Sequence, residues 1–355
     1  MLSFRPVTLT STLRKLIERI VARGVRDCIE DRLRPEQKGF RPARSPLDTL
    51  MQVASAVRRR MDGERTAAAF IDDARACDSV DHGCIVRELL SFGVERHLVA
   101  WIAGFLRGRT SKVRVDNALA EDISVTCGVP QGSVLGRLLF IITVASLGRR
   151  LKRITGLRNG FFADDLGIVC TSNDLSELQQ RKQQGLDCIT HWSAECRVEV
   201  SAGKTEHTQL AAREAKLLSL KVGATALKEE RAPELVDLTM HRLKGLSKHG
   251  LCMKAVASTR LLQLRAAASP EWGPDREERR GSHRAPEQAE MCYGVASWWF
   301  DTSLSDLERV ERVQAQAAHM VAGNPKAANR EGGLREARLK PINEVARRRA
   351  LDHYL

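Results

Sequence analysis

At 355 residues, 43% of them hydrophobic and 28% charged, the chain is long enough to bury sizeable cores and is predicted to divide into two or three subdomains. Its longest apolar run, Leu138 to Leu147, is too short to cross a bilayer, and no apolar leader follows Met1 to Arg5, so neither a membrane span nor a secretory signal is expected. A net charge of +13, spread from Arg58-Arg59-Arg60 through Arg149-Arg150 to Arg347-Arg348-Arg349, favours a polyanion along a groove, with nucleic acid ahead of an anionic membrane.

Thr8 to Arg32 carries helical spacing, with Leu13, Leu16, Ile17, Ile20, Val21 and Val25 on one face behind a cap at Ser11 or Thr12. Arg34-Pro35 ends that helix, and Gly39-Phe40-Arg41-Pro42-Ala43-Arg44-Ser45-Pro46 reads as an extended basic loop. A second helix is predicted from about Leu47 to Met61, then a strand from Thr66 that ends in Asp72. Helices follow around Cys84–Phe92 and His97–Leu106, and Ser111–Asp116 and Asp122–Thr126 read as paired strands. Gly128-Val129-Pro130-Gln131-Gly132-Ser133 is a glycine-rich turn that opens an apolar helix to about Leu151.

Gly160 to Cys170 places two strand-favouring apolar runs around Asp164-Asp165, the pattern of a tight hairpin with carboxylates at its tip. A helix over Leu175–Cys196, a short strand at Val198–Val200 and another strand beginning at Lys204-Thr205-Glu206 complete this part. From Gly250 the chain reads as mainly helical: Ser305 to Glu308 has the form of a capping box, Leu307, Val310, Met320 and Val321 form a stripe, and Gly323 with Pro325 is the stop. Pro274 to Gln288 has almost no apolar residue and no period, and reads as an exposed linker or a disordered insertion. Together these elements predict an α+β fold with a palm-like layer, antiparallel at its hairpin and backed by helices. The nine cysteines form no CxxC pair, and Cys188, His191, Cys196 and His207 match no zinc spacing. Unpaired, reduced thiols are expected, and with them the cytoplasm or nucleus.

Adjacent aspartates repel, so a tip that holds them calls for a cation. Hard oxygen donors favour Mg2+, which usually shares its site with substrate phosphates. A strand-borne carboxylate (Asp72) beside the pair can hold two such ions, the arrangement that activates a 3′-hydroxyl and stabilises both oxygens of an in-line phosphoryl transfer. Lys204 would supply a proton or a positive charge to the pyrophosphate leaving group.

In this order, Phe4 to Ser11, Gly39 to Ser45, Phe70 to Asp78, Gly128 to Phe140, Phe162-Ala163-Asp164-Asp165 and Lys204-Thr205-Glu206 resemble the reverse transcriptases of non-long-terminal-repeat (LINE-type) retrotransposons, the ingi-like clade above all. The resemblance implies a right-hand fold, with fingers and palm over 1–250 and a helical thumb or connection region over 251–355. It implies an RNA-directed DNA polymerase that extends a DNA primer on an RNA template from deoxynucleoside triphosphates, with two Mg2+ or Mn2+ ions. Asp72, Asp164 and Asp165 match the metal-ligating acids. Arg5, Ile71, Cys77, Gln131 and Gly132 match positions around the incoming nucleotide, and Arg41 and Arg44 match a basic loop near the template.

Some residues depart from the family pattern. Cys77 stands where the family has an aromatic ring that excludes a 2′-hydroxyl, Asp73 where it has an apolar or aromatic residue, Arg137 where it has proline, and Asp237 where a Leu-Gly turn is usual. The stretch near Ser282 replaces an apolar helix. The endonuclease and RNase H of full-length members are not recognised, so the chain reads as a fragment of a decaying element. The alternatives are a nucleic-acid-binding remnant without catalysis and a metal phosphohydrolase. The second leaves the Gly-Val-Pro-Gln-Gly-Ser turn unexplained.

Overall fold

The computed structural model describes residues 7–58, 64–71, 73–74, 76–115, 118–210, 218–240, 249–266, 273–284, 288–325 and 328–354. The chain divides into two compact units, one of Met1–Gln209 with Glu214–Glu230 and one of Leu210–Arg213 with Arg231–Leu355.

The first unit begins with helix α1 (Thr12–Ile29), whose first turn is capped by Ser11 Oγ accepting from Arg14 N at 3.3 Å. The apolar face expected for this helix is divided. Val21, Ala22, Val25 and Ile29 enter the core, whereas Leu13 and Ile20 are 69% and 67% exposed, with Leu16 and Ile17 exposed beside them. Helix α2 (Pro46–Arg58) starts at a proline, whose fixed φ and missing N–H suit a first helical position.

Strand β1 (Arg65–Ile71) is followed by β2 (Asp73–Ala74), α3 (Ala76–Ser79), α4 (His82–Ser91) and α5 (Arg96–Leu106). Two small antiparallel pairs come next: β3 (Arg109–Ser111) with β6 (Ile123–Val125), and inside them β4 (Arg114–Val115) with β5 (Ala118–Leu119). Helix α6 (Val134–Leu151) is apolar all round and buried on nearly every side, as its sequence requires.

Strands β7 (Leu157–Phe162) and β8 (Asp165–Ser172) form the acidic hairpin, and α7 (Leu175–Cys196), β9 (Glu199–Val200) and β10 (Glu206–Leu210) follow. The central sheet has the order β10-β1-β8-β7, and its β1–β8 and β8–β7 pairs are antiparallel. Register sets Ala67 opposite Cys170, Ala69 opposite Ile168 and Ile71 opposite Leu166. These six alternate residues share one core with Leu138 and Ile142 of α6 and with Leu186, Ile189 and Trp192 of α7. Trp192 keeps its indole N–H satisfied inside that core by donating to Ser146 Oγ at 2.8 Å. The pair β11 (Lys221–Val222) and β12 (Thr225–Ala226) closes this unit.

One expectation about the cysteines is corrected. Cys84 on α4 and Cys196 at the end of α7 are joined as a disulfide, with Cα atoms 5.7 Å apart across 112 residues of sequence. The packing of α4 against α6, and of α6 against α7, brings these two thiols together, and no local spacing could reveal it.

In the second unit β13 (Glu234–Leu235) and β14 (Leu238–Thr239) are joined by Val236 and Asp237, both at positive φ (50° and 57°). That is the backbone of a turn that prefers glycine or asparagine, and it accounts for the glycine expected at position 237. The rest is helical: α8 (His249–Ala266), α9 (Arg276–Ser282), α10 (Gln288–Met291), α11 (Val295–Trp298), α12 (Leu304–Ala322), α13 (Arg330–Glu336) and α14 (Ile342–Tyr354). Much of the stretch read as an unstructured linker is thus helix α9. Asp275 and Glu278 form a reciprocal capping box there, a signal concealed by the lack of apolar residues. Helix α12 is capped two residues earlier than expected, by Ser303 Oγ accepting from Asp306 N, and it stops at Gly323 in the left-handed conformation. Among the described residues, no helix is long and apolar enough to cross a membrane.

Candidate active site

The hairpin closes through the pair Phe162–Asp165, which leaves Ala163-Asp164 as a two-residue turn with Ala163 at φ 57°. An alanine in this conformation is costly unless its surroundings hold it. They do. Phe161 N donates to Glu36 O and Lys38 N donates to Phe161 O, both at 2.9 Å, while Thr49 Oγ1 of α2 also donates to Phe161 O at 3.2 Å. Gly39 then passes directly beneath the turn: a Cβ there would overlap Ala163 N and lie 2.7 Å from Ala163 Cα.

Arg41 secures the same loop. Its guanidinium is largely buried and donates to Glu30 Oε1 and to the carbonyls of Arg34, Gln37 and Glu30, at 2.9 to 3.3 Å. Arg44 is exposed on the loop. Lys38, three residues before Arg41, has its ammonium pKa lowered by burial and by the charge of Arg44.

Asp164 and Asp165 are both half-buried at the tip, and no described residue donates to the Asp164 carboxylate. Asp72 lies outside the described residues. Its neighbour Ile71 is buried and paired with Leu166, while on the other side Asp73 pairs its backbone with Val200 of β9. Lys204 is exposed in the turn that leads into β10, the strand beside β1, and its N–H donates to Ser201 O at 3.1 Å. Arg5 lies outside the described residues.

The glycine-rich turn is docked on the segment that follows β2. Val129 N donates to Cys77 O at 2.7 Å, Gly128 N donates to Val80 O at 2.8 Å, and His82 Nε2 lies 2.9 Å from Gly128 O. Gly128, at φ 76°, runs so close to this segment that a Cβ would overlap Asp78 O and lie 2.8 Å from Asp78 Cα. Gln131 donates through Nε2 to both Asp78 carboxylate oxygens, at 2.9 and 2.8 Å, and its own carbonyl accepts from Thr8 N at 2.7 Å. Gly132 is exposed next to it. Cys77 is half-buried and packs against the main core.

The turn leads into α6, whose first free N–H groups are capped twice. Ser133 Oγ accepts from Gly136 N at 2.8 Å, and the fully buried Glu18 of α1 accepts from Val134 N at 2.7 Å and Leu135 N at 3.3 Å. Asp78, His82, Glu18 and Glu36 are the supports that sequence reasoning missed. Asp78 alone had a signal, since it ends the run that begins at Phe70. The other three work through pairings across the fold.

As chemistry, the hairpin offers hard, partly desolvated oxygen donors on a rigid turn. The Gln131 turn offers backbone and an amide held in fixed positions. Hard donors of this kind suit a divalent cation such as Mg2+, and among the described residues no group of three metal-binding side chains comes together, Asp72 lying outside them.

The family described as reverse transcriptase (RNA-dependent DNA polymerase) matches residues 1–222. The RNA-directed DNA polymerase from mobile element jockey of Drosophila melanogaster is 22% identical over 332 residues, covering 91% of this chain and 36% of that protein. The probable RNA-directed DNA polymerase from transposon BS of the same species is 31% identical over 211 residues, covering 57% of this chain and 23% of that protein. The chain therefore spans well under half the length of either relative. Apo telomerase from Candida tropicalis aligns over 95% of this chain and 55% of its own at 10% identity, with a TM-score of 0.47, a likeness too loose to carry weight.

Proposed function

We propose that this chain, which belongs to the reverse transcriptase (RNA-dependent DNA polymerase) family, is the polymerase portion of an ingi-like non-long-terminal-repeat element, with fingers and palm followed by a helical thumb. Its reaction is the addition of deoxynucleotides to a DNA primer on an RNA template. The observation that carries the reading is the register that sets Ile71 against Leu166, because it brings the end of β1 beside the acidic hairpin although the two are far apart in sequence.

Asp164 and Asp165, with Asp72 as the third acid, would hold the divalent ions. Bound metal supplies Lewis acidity to the attacking 3′-hydroxyl and to the departing pyrophosphate. The chain's own residues do the positioning. The Gln131 turn supports the nucleotide–template pair, Lys204 provides charge or a proton to the leaving group, and Arg44 with the wider basic surface holds the phosphate backbone.

A second reading, a decayed remnant that binds nucleic acid without polymerising, is favoured by two features that a well-optimised chain avoids. Lys182 is fully buried with no hydrogen-bond partner for its Nζ among the described residues, and Val236, a β-branched residue, is at positive φ.

Primer extension on an RNA template with Mg2+ distinguishes the two. The wild type is expected to extend the primer, and Asp164→Asn to lose at least about 100-fold in rate, the scale of removing a group that stabilises transition-state charge. Duplex binding without extension would establish the remnant instead, and neither binding nor extension would end both readings.

A further inference from the structure

We propose that Asp78 is a positioning residue that locks the side-chain amide of Gln131 in one orientation, so that Gln131 meets its ligand as a hydrogen-bond acceptor. The identity of that ligand, the nucleotide–template pair, rests on the polymerase reading; the lock itself does not. A glutamine amide ordinarily can turn over and exchange its donor and acceptor ends. Here both oxygens of Asp78 lie within 2.9 Å of Nε2. A carboxylate only accepts, so the flipped amide would press Oε1 against two like partners and lose the charge-assisted bond that one N–H shares between both oxygens. Both side chains are half-buried, which limits screening by water.

The lock also has a rigid base. The segment that carries Asp78 and the turn that carries Gln131 are tied by Val129 N to Cys77 O and by Gly128 N to Val80 O. On its far side Gln131 is held through its carbonyl by Thr8 N. Fixing Nε2 against Asp78 also fixes the place of Oε1, to which no described residue donates. A ligand group that meets Oε1 must therefore carry a donor. The donors that a nucleotide–template pair offers whatever its bases are sugar hydroxyls, either the 3′-hydroxyl of the incoming nucleotide or the 2′-hydroxyl of the template.

Asp78→Asn tests this, because asparagine keeps the size but offers either a donor or an acceptor and so releases the flip. In single-nucleotide incorporation the KM for the nucleotide should rise roughly ten-fold, the scale of one charge-assisted hydrogen bond, with kcat and melting temperature little changed. In a Gln131→Ala background the same substitution should have no further effect, and an additive effect would overturn the proposal. Dideoxynucleotides and a DNA template separate the sources: the penalty of Asp78→Asn should disappear in whichever arm lacks the hydroxyl that Oε1 accepts. A penalty unchanged in both arms would overturn the acceptor assignment.

A readout independent of catalysis keeps the lock testable if no primer is extended, an outcome that would defeat the polymerase reading alone. The Gln131 amide-proton resonances, assigned by their loss in Gln131→Ala, should move towards ordinary glutamine positions in Asp78→Asn. If they do not move, the lock does not exist.

Discussion

A Cβ on Gly39 would fall 2.7 Å from Ala163 Cα and overlap the adjoining nitrogen, and both of those atoms are backbone, which cannot swing aside. The turn that carries Asp164 would have to move instead. Gly39→Ala is therefore expected to cost roughly 1–3 kcal/mol, as overpacking of a filled site does, and to lower primer extension by more than that loss of stability explains. Urea unfolding and extension kinetics on the same preparation check it. Wild-type values for both would show that the turn is not braced by this loop. Gly39 to Pro46 was legible as a loop because of its two prolines, but its service to the hairpin was not. That service depends on Phe161 exchanging hydrogen bonds with Glu36 and Lys38, more than a hundred residues away in sequence. Asp164 and Asp165 were legible because two adjacent acids between apolar strands are chemically odd, whereas Asp78 looked like any acid that follows a strand.

At the scale of elements, α6 depends on α1 for its start. Its apolar composition drives it into the core, where its leading N–H groups cannot reach water, and the Glu18 carboxylate meets two of them at the positive end of the helix dipole. Arg14 lies beside the other oxygen of Glu18 at 3.4 Å. Glu18→Ala is expected to destabilise by roughly 2–4 kcal/mol, since it leaves buried donors unmet, and Glu18→Gln by roughly 1 kcal/mol, since an amide oxygen can still accept. Denaturant unfolding followed by circular dichroism measures both, and two variants as stable as the wild type would remove Glu18 as the cap. The same residue explains why α1 was only partly legible. Periodicity found the helix and its Ser11 cap, yet it assigned Leu13, Leu16, Ile17 and Ile20 to a core that they do not enter, and it had no means of placing a glutamate there. Helix α7 was legible from end to end, because Asp174 caps one end, Arg197 in the left-handed conformation closes the other, and Leu178, Gly185, Leu186, Ile189 and Trp192 mark a continuous buried face.

Up to about pH 9 the stability of the chain should rise with pH, and buried bases set the direction; above that the Cys170 and Cys292 thiols, both pushed up from 9.0 to about 11 by burial, act the other way. Burial pushes the Lys182 ammonium down to about 7, with Cys170 and Glu229 opposing it. His207 falls to about 4 through burial and the nearby charge of Lys182, and His249 of the second unit falls to about 4 through burial. Each is a base whose folded value lies below its unfolded one, so between the two values the unfolded chain binds the extra proton. In that window stability increases with pH. For Lys182 the window runs from its ordinary 10.5 down to about 7, below which the penalty is complete. For the two histidines it runs from 6.5 down to about 4. The net charge of +13 acts in the same sense, because self-repulsion eases as pH rises. Lys182→Met separates the two effects: it keeps the volume, removes the buried ammonium and leaves the rest of the charge in place. Urea unfolding at about pH 6, 7.5 and 9 should show the wild type gaining stability with pH. The variant should be more stable than wild type near neutrality, with a flatter slope between the two higher values. A wild-type stability that is level or falls across this range, or a variant with the wild-type slope, would mean that Lys182 finds water or a counter-charge in the folded protein. A lysine in the middle of a polar-looking helix carries no sign of this in its sequence. Only the packing of α7 against β1 and β8 buries it, and so the strongest pH dependence of the chain belongs to the fold rather than to any motif.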